Sequence, residues 1–156
     1  MKKKIKVDAI RRGDVFAFQL RAGVYGFGVI VSKIMDGHVA EIFDYFAEEL
    51  SIDVAKLDKT FYPPLILDSY SLFQKSSEGV WGIVGHQDGY SPNEKVLSTK
   101  FAWGVRGDQS VTTVNNQHIP VSDEEAAKWP RCQPWGDYDV KEYVAIKIGK
   151  ADVVLF

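Results

Sequence analysis

The chain has one cysteine, Cys132, among 156 residues. No disulfide can form within it, so its stability must come from a hydrophobic core. Long apolar runs are missing as well. No stretch approaches the ~20 residues that a membrane-spanning helix needs. The N-terminus opens on Met1 and three lysines, yet no apolar segment of the kind found in a secretory leader follows. Asp8, Arg11, Arg12 and Asp14 interrupt it instead. These absences predict a cytoplasmic protein with no membrane partner. Repeats, low-complexity stretches and linkers are absent too, which predicts a single domain over 1–156 with residues 1–8 as a flexible basic N-terminus.

Recognisable chemistry is equally scarce. The three histidines, His38, His86 and His118, are too widely spaced for a zinc motif, and only one cysteine is available to join them. A metal-dependent hydrolase of the phosphotriester type would need these histidines to converge with carboxylates in space. His86 and Asp88 form the most suggestive local pair, a base and its orienter at a strand end, but no nucleophile accompanies them. Their plain reading is a loop that hydrogen-bonds itself. Arg131 beside Cys132 would lower a thiol pKa, but no histidine is near in sequence, and the flanking Trp129, Pro130, Pro134 and Trp135 describe a packed loop. Gly23, Gly26 and Gly28 lack the order of a dinucleotide fingerprint and any Lys-Ser/Thr ending. The sequence therefore predicts no catalytic residues, no metal and no cofactor.

Charge of one sign is concentrated. Residues 1–14 hold six bases and two acids, which leaves 13 bases against 19 acids, a net charge of −6, in the rest. Such a body does not suit nucleic acid, which wants a basic face. Residues 36–58 carry seven acids, Asp36, Glu41, Asp44, Glu48, Glu49, Asp53 and Asp58, opposed only by Lys56. A solvated strand edge and helix would explain them; so would a face that steers a basic partner.

What the chain does have is alternation. Phe16, Phe18 and Leu20 share one face of a predicted strand, Val15 to Leu20. The loop at Arg21 to Gly23 turns it back into Val24 to Val31, where Tyr25, Phe27, Val29 and Val31 share a face and Gly26 and Gly28 take the other. His38 to Phe46 makes a third strand. A short helix is predicted within 47–60, with Ser51 as its cap and Pro63-Pro64 as its stop. Leu65 to Phe73 and Val80 to Gly85 read as a further strand pair, and Gln87 to Lys95 as a polar loop. Beyond it, Phe101 to Val105 reads as a strand, and Val111 to Val114 with Gln117 to Val121 as a hairpin across Asn115 and Asn116. Ser122 and Glu125 form a capping box that opens a short helix, stopped by Pro130. Asp139 to Glu142 either caps a second helix or precedes a strand at Tyr143 to Ile148. The predicted fold is mainly β to α+β. It has an antiparallel, strongly curved sheet or partly open barrel, an N-terminal meander and two or three short helices. A small-molecule-binding β-barrel would require a pocket lined by Phe16, Phe18, Tyr25, Phe27 and Trp81; a barrel this small is expected to be filled instead.

The run GDVFAFQL at 13–20, followed by GVYGFGVI at 23–30, resembles the opening hairpin of the immunity protein 26 family. FYPPLIL at 61–67 and VWGIV at 80–84 extend the resemblance, which covers residues 9–125. It implies a protein of bacterial polymorphic toxin systems that binds and neutralises a cognate toxin. A toxin with a basic surface would suit an acidic recognition face. On that reading the candidate contact residues are Asp36, Glu41, Asp44, Glu48, Glu49 and Asp53, with Tyr45 and Tyr62 as aromatic anchors.

Overall fold

The computed structural model describes residues 4–35 and 37–149. Asp14–Arg21 (β1), Val24–Ile34 (β2) and Gly37–Ala47 (β3) form the meander that the alternation predicts. Gly23, at φ +77°, makes the first turn, a backbone state that disfavours any side chain. Leu65–Leu67 (β4) pairs with β3, and Trp81–His86 (β5) pairs with β1. The result is an antiparallel five-stranded sheet of order β4-β3-β2-β1-β5. Lys100–Val105 (β6), Asp108–Thr113 (β7) and His118–Val121 (β8) make a second antiparallel sheet. Among the described residues three α-helices accompany them, Glu94–Leu97 (α1), Asp123–Ala126 (α2) and Asp137–Ile148 (α3), with short 3-10 and π-helical turns besides. The protein is mainly β, at 40% strand and 22% helix.

One face of the large sheet is an aromatic core. Phe16 lies across from Gly28, and Phe18 across from Gly26. A Cβ on Gly28 would sit 2.2 Å from Phe16 Cζ, so the two glycines leave room for the rings to lie against the backbone of β2. Trp81 stacks on Phe18 at 4.7 Å between centroids, and Phe73 meets Trp81 edge-on at 5.9 Å. Leu67, Leu72 and the α3 residues Val140, Tyr143 and Val144 complete this cluster. Of the five residues that a small-molecule barrel would have needed as its lining, Phe16, Phe18 and Trp81 thus pack on one another, while Tyr25 and Phe27 lie on the other face of the sheet. A second cluster joins the sheets, placing Val31, Ile34, Val39 and Ile66 against Val96, Phe101 and Val114. The opposite face of the large sheet presents Val15, Ala17, Phe27, Val29 and Phe43, which are covered by Leu50, Ile52, Val54 and Leu57.

Three local expectations need correction. Leu65 to Phe73 and Val80 to Gly85 do not pair; their strands lie at opposite edges of the sheet. The first ends at Leu67, where Asp68 Oδ1 accepts from Ser71 N at 3.3 Å. The chain then enters a π-helical turn, Tyr70–Gln74, which buries Leu72 and Phe73. A short apolar run does not by itself distinguish a strand from a helical turn. The helix expected within 47–60 is a single 3-10 turn, Val54–Lys56, with Asp53 rather than Ser51 accepting from the Ala55 amide. In the polar loop 87–95, Asn93 Oδ1 accepts from Val96 N at 2.9 Å and opens α1.

Other local signals hold. Ser122 Oγ accepts from Glu125 N at 3.1 Å and starts α2. Tyr143–Ile148, open between helix and strand, is helix. Asp139 Oδ2 accepts from Gly136 N at 3.1 Å at its start, and Gly149, at φ +71°, ends it. Of the basic N-terminal stretch, Ile5 N donates to Phe73 O at 3.3 Å and Val7 N to Gln74 Oε1 at 2.9 Å; residues 1–3 lie outside the described residues.

Candidate functional site

The acidic segment leaves β3 and returns beside it. Asp44 N donates to Lys59 O at 2.8 Å, and Phe61 N to Ile42 O at 2.8 Å. Between these points the chain forms a loop whose apolar side chains cover Val29 and Phe43. Gln87 pins it from the far side, its Nε2 donating to Val54 O at 2.7 Å and to Leu57 O at 2.8 Å. With its apolar residues turned inward, the loop presents Asp44, Tyr45, Glu48, Glu49, Asp53 and Asp58 to solvent, together with Lys56 and Lys59. Tyr45 is 41% exposed and leans on Phe27 at 5.9 Å between centroids, which holds an aromatic ring at the surface.

The other candidates fall elsewhere. Asp36 lies outside the described residues. Tyr62 is half-buried, its hydroxyl 3.0 Å from Thr99 Oγ1 and its ring 4.2 Å beneath Lys95 Nζ; it belongs to the joint between the sheets. Glu41 is not on the outer rim. It is 4% exposed, on the face of β3 that also carries Val39 and Phe43. Alternation asks for an apolar residue there. Both carboxylate oxygens accept hydrogen bonds instead, Oε1 from Thr60 Oγ1 at 2.7 Å and Oε2 from the Tyr90 hydroxyl. Burial, and then the Glu41 carboxylate itself, push the Tyr90 phenol far above its ordinary range, so it stays protonated and donates.

Glu41, Phe43, Leu57, Asp58, Thr60, Gln87 and Tyr90 line an open depression of about 350 Å³. A second one, of about 450 Å³, continues along Leu57, Gln87, Gly89 and Tyr90 to His86 and Asp88. His86 Nδ1 lies 2.8 Å from Asp14 Oδ1, and Asp14 is 6% exposed. The sequence pairs His86 with Asp88, but Asp88 is the weaker partner, 3.6 Å from Nε2 with a fully exposed carboxylate. Among the described residues no hydroxyl is hydrogen-bonded to His86, and its contact with Asp14 ties the end of β5 to the start of β1.

His38 is fully buried, with Nδ1 2.7 Å from Ser69 Oγ. His118 Nδ1 lies 2.9 Å from Thr112 Oγ1, which also accepts from Trp103 Nε1 at 3.0 Å. The three histidines thus sit in three separate settings. Among the described residues no group of three His, Cys, Asp or Glu side chains is placed to hold a metal ion. No described helix is long and apolar enough to cross a membrane.

The chain is thus a mainly antiparallel β protein with two open depressions whose lining includes Glu41, Asp58 and Asp88. The family is now explicit: immunity protein 26 matches residues 11–109, and the chain belongs to that family. The match contains the meander, β4, β5 and the whole acidic loop. No curated protein and no solved structure matches the chain.

Proposed function

We propose that this protein binds and neutralises a cognate bacterial toxin in the cytoplasm of the producing cell, and that the surface of residues 44–58, the end of β3 and the loop after it, carries the contact. Family membership is the observation that supports toxin binding. The placement rests on the exposed Asp44, Glu48, Glu49 and Asp53 in the same segment as the exposed Tyr45. Exposed acids together with an exposed ring have the make-up of an interface for a basic partner. Charge speeds encounter and selects the partner, while the aromatic ring supplies desolvated contact area. Neutralisation by contact requires no turnover, so the two depressions need not assemble a catalytic centre.

The test uses a toxin domain found by sequencing the genes on either side. Calorimetry of that domain with the wild-type protein and with Asp44→Lys/Glu48→Lys/Glu49→Lys should show a loss of affinity of at least about 100-fold. Growth rescue of cells expressing the toxin should fail in parallel. Unchanged affinity in the triple variant would remove the loop from the interface.

A further inference from the structure

The depression beside the acidic loop has an unusual proton inventory. Thr60 and Tyr90 each donate their one hydroxyl hydrogen to Glu41. Their oxygens are left able only to accept further bonds. Gln87 spends its amide hydrogens on Val54 O and Leu57 O, which leaves Oε1 as its remaining capacity. Asp58 adds a carboxylate to the same lining, and Asp88 one to the adjoining depression; Ser91 and Asn93 stand on the rim of the first and His86 in the second as side chains that can also donate. No Lys or Arg side chain is among the residues that line either depression, and among the described residues Glu41 forms no ion pair. This carboxylate is 4% exposed and hydrogen-bonded only by neutral hydroxyls, while Arg12, whose charge reaches Tyr90, is held on Val31 O at 2.6 Å and not on Glu41. The lining therefore asks for a ligand that is cationic and rich in hydrogen-bond donors.

We propose that this depression is a receptor for a guanidinium group, filled by an arginine side chain of the bound partner, with Glu41 at its floor and Tyr90, Thr60 and Gln87 as neutral acceptors. The proposal rests on the reading of the chain as a toxin-binding protein and names the chemistry that the partner brings. Guanidinium fits better than ammonium because it is planar and its five donors reach several acceptors at once. The outer acids Asp44, Glu48 and Glu49 attract a basic surface without selecting a residue; the Glu41 depression selects one.

The probe is N-acetyl-arginine amide, compared with N-acetyl-citrulline amide, its neutral near-isostere. Each is titrated into the ¹⁵N-labelled full chain while the amide shifts of Thr60, Gly89 and Tyr90 are followed. The arginine compound should give saturable shifts at these three positions, and the citrulline compound none. Two variants localise the effect. Glu41→Gln keeps the size of the side chain and removes its charge. Gly89→Leu blocks the mouth from a position where an added Cβ meets no atom within 4 Å. Each should weaken the arginine probe by about tenfold or more, the scale of one charge-assisted contact. If Glu41→Gln fails to fold, the Gly89→Leu result decides alone. Equal shifts with both compounds, or shifts confined to Glu48 and Glu49, would overturn the proposal. A silent probe alongside intact toxin binding would sink the arginine receptor alone. Loss of toxin binding in the wild-type chain would sink the functional reading itself.

Discussion

Two buried polar residues on β3 show how one strand divides its roles. His38 and Glu41 are 0% and 4% exposed, three positions apart, and point to opposite faces of the sheet. Glu41 faces the depression, whereas His38 Nε2 is buried without a hydrogen-bond partner. Burial first, and then the Lys33 charge, hold the His38 pKa down at about 4, against 6.5 for an ordinary histidine. The unfolded chain therefore binds a proton between those values that the folded chain refuses. Stability from this group is complete above pH 6.5 and is lost as the pH falls towards 4. The loss is at most on the order of 3 kcal/mol, since each pKa unit corresponds to about 1.4 kcal/mol. Urea melts at pH 7 and pH 4.5 should show this loss in the wild type and a smaller one in His38→Gln. The comparison cancels the carboxylates that titrate in both proteins. Equal losses would mean that His38 is not the group excluding the proton. In sequence His38 looks like any histidine after a turn; its burial comes from β4 pairing beside it, His38 against Leu67.

At the scale of elements, the meander was legible because period-2 alternation is imposed by the pleat and survives any tertiary context. The glycines of β2 were legible only as a close approach, and the structure supplies the Phe16 and Phe18 rings that make it. Tyr70–Gln74 was not legible, since an apolar run of that length satisfies both periods and the winning one depends on the distant Trp81. The start of α3 was hidden for a similar reason. Its first helical residue is Asp137, two before the Asp139 that the sequence offers, and two of the groups that hold it come from far along the chain. Asp137 Oδ1 accepts from Trp81 Nε1 at 2.8 Å, and Glu78 Oε1 accepts from Asp137 N at 3.1 Å. Lys141 Nζ reaches Asp137 Oδ2 at 2.8 Å from the next turn. Asp137→Ala removes the acceptor of a buried indole and the partner of a half-buried ammonium. It should cost about 1–3 kcal/mol by denaturant melting. Amide exchange should accelerate most in α3 and β5, the two elements that the residue ties together. An unchanged exchange pattern in α3 would show that Val140, Tyr143 and Val144 anchor the helix without it.

For the whole molecule, the excess of acid could be read from the sequence but its division could not. Seven acids in one run look alike; folding buries Glu41 beneath Tyr90 and leaves Asp44, Glu48, Glu49, Asp53 and Asp58 exposed. The signal for Glu41 was present, because β3 alternation puts it in step with Val39 and Phe43. Reading it as a buried charge required Thr60 and Tyr90, which arrive from other segments. Under the proposed function, this division separates two contributions to binding. Exposed charges act over roughly a Debye length, ~10 Å at 0.1 M salt, and so govern encounter. A charge in a depression acts on contact and so governs departure. Stopped-flow association with the toxin domain should slow about tenfold or more between 50 mM and 500 mM salt. In Glu48→Lys/Glu49→Lys the association rate should fall at low salt and its salt dependence flatten, with dissociation nearly unchanged. Glu41→Gln should do the reverse, leaving association close to wild type and speeding dissociation. If the outer pair altered only dissociation, or if the wild-type association rate ignored salt, the exposed loop would not be steering the partner, and the acidic excess would be an ordinary solvated surface.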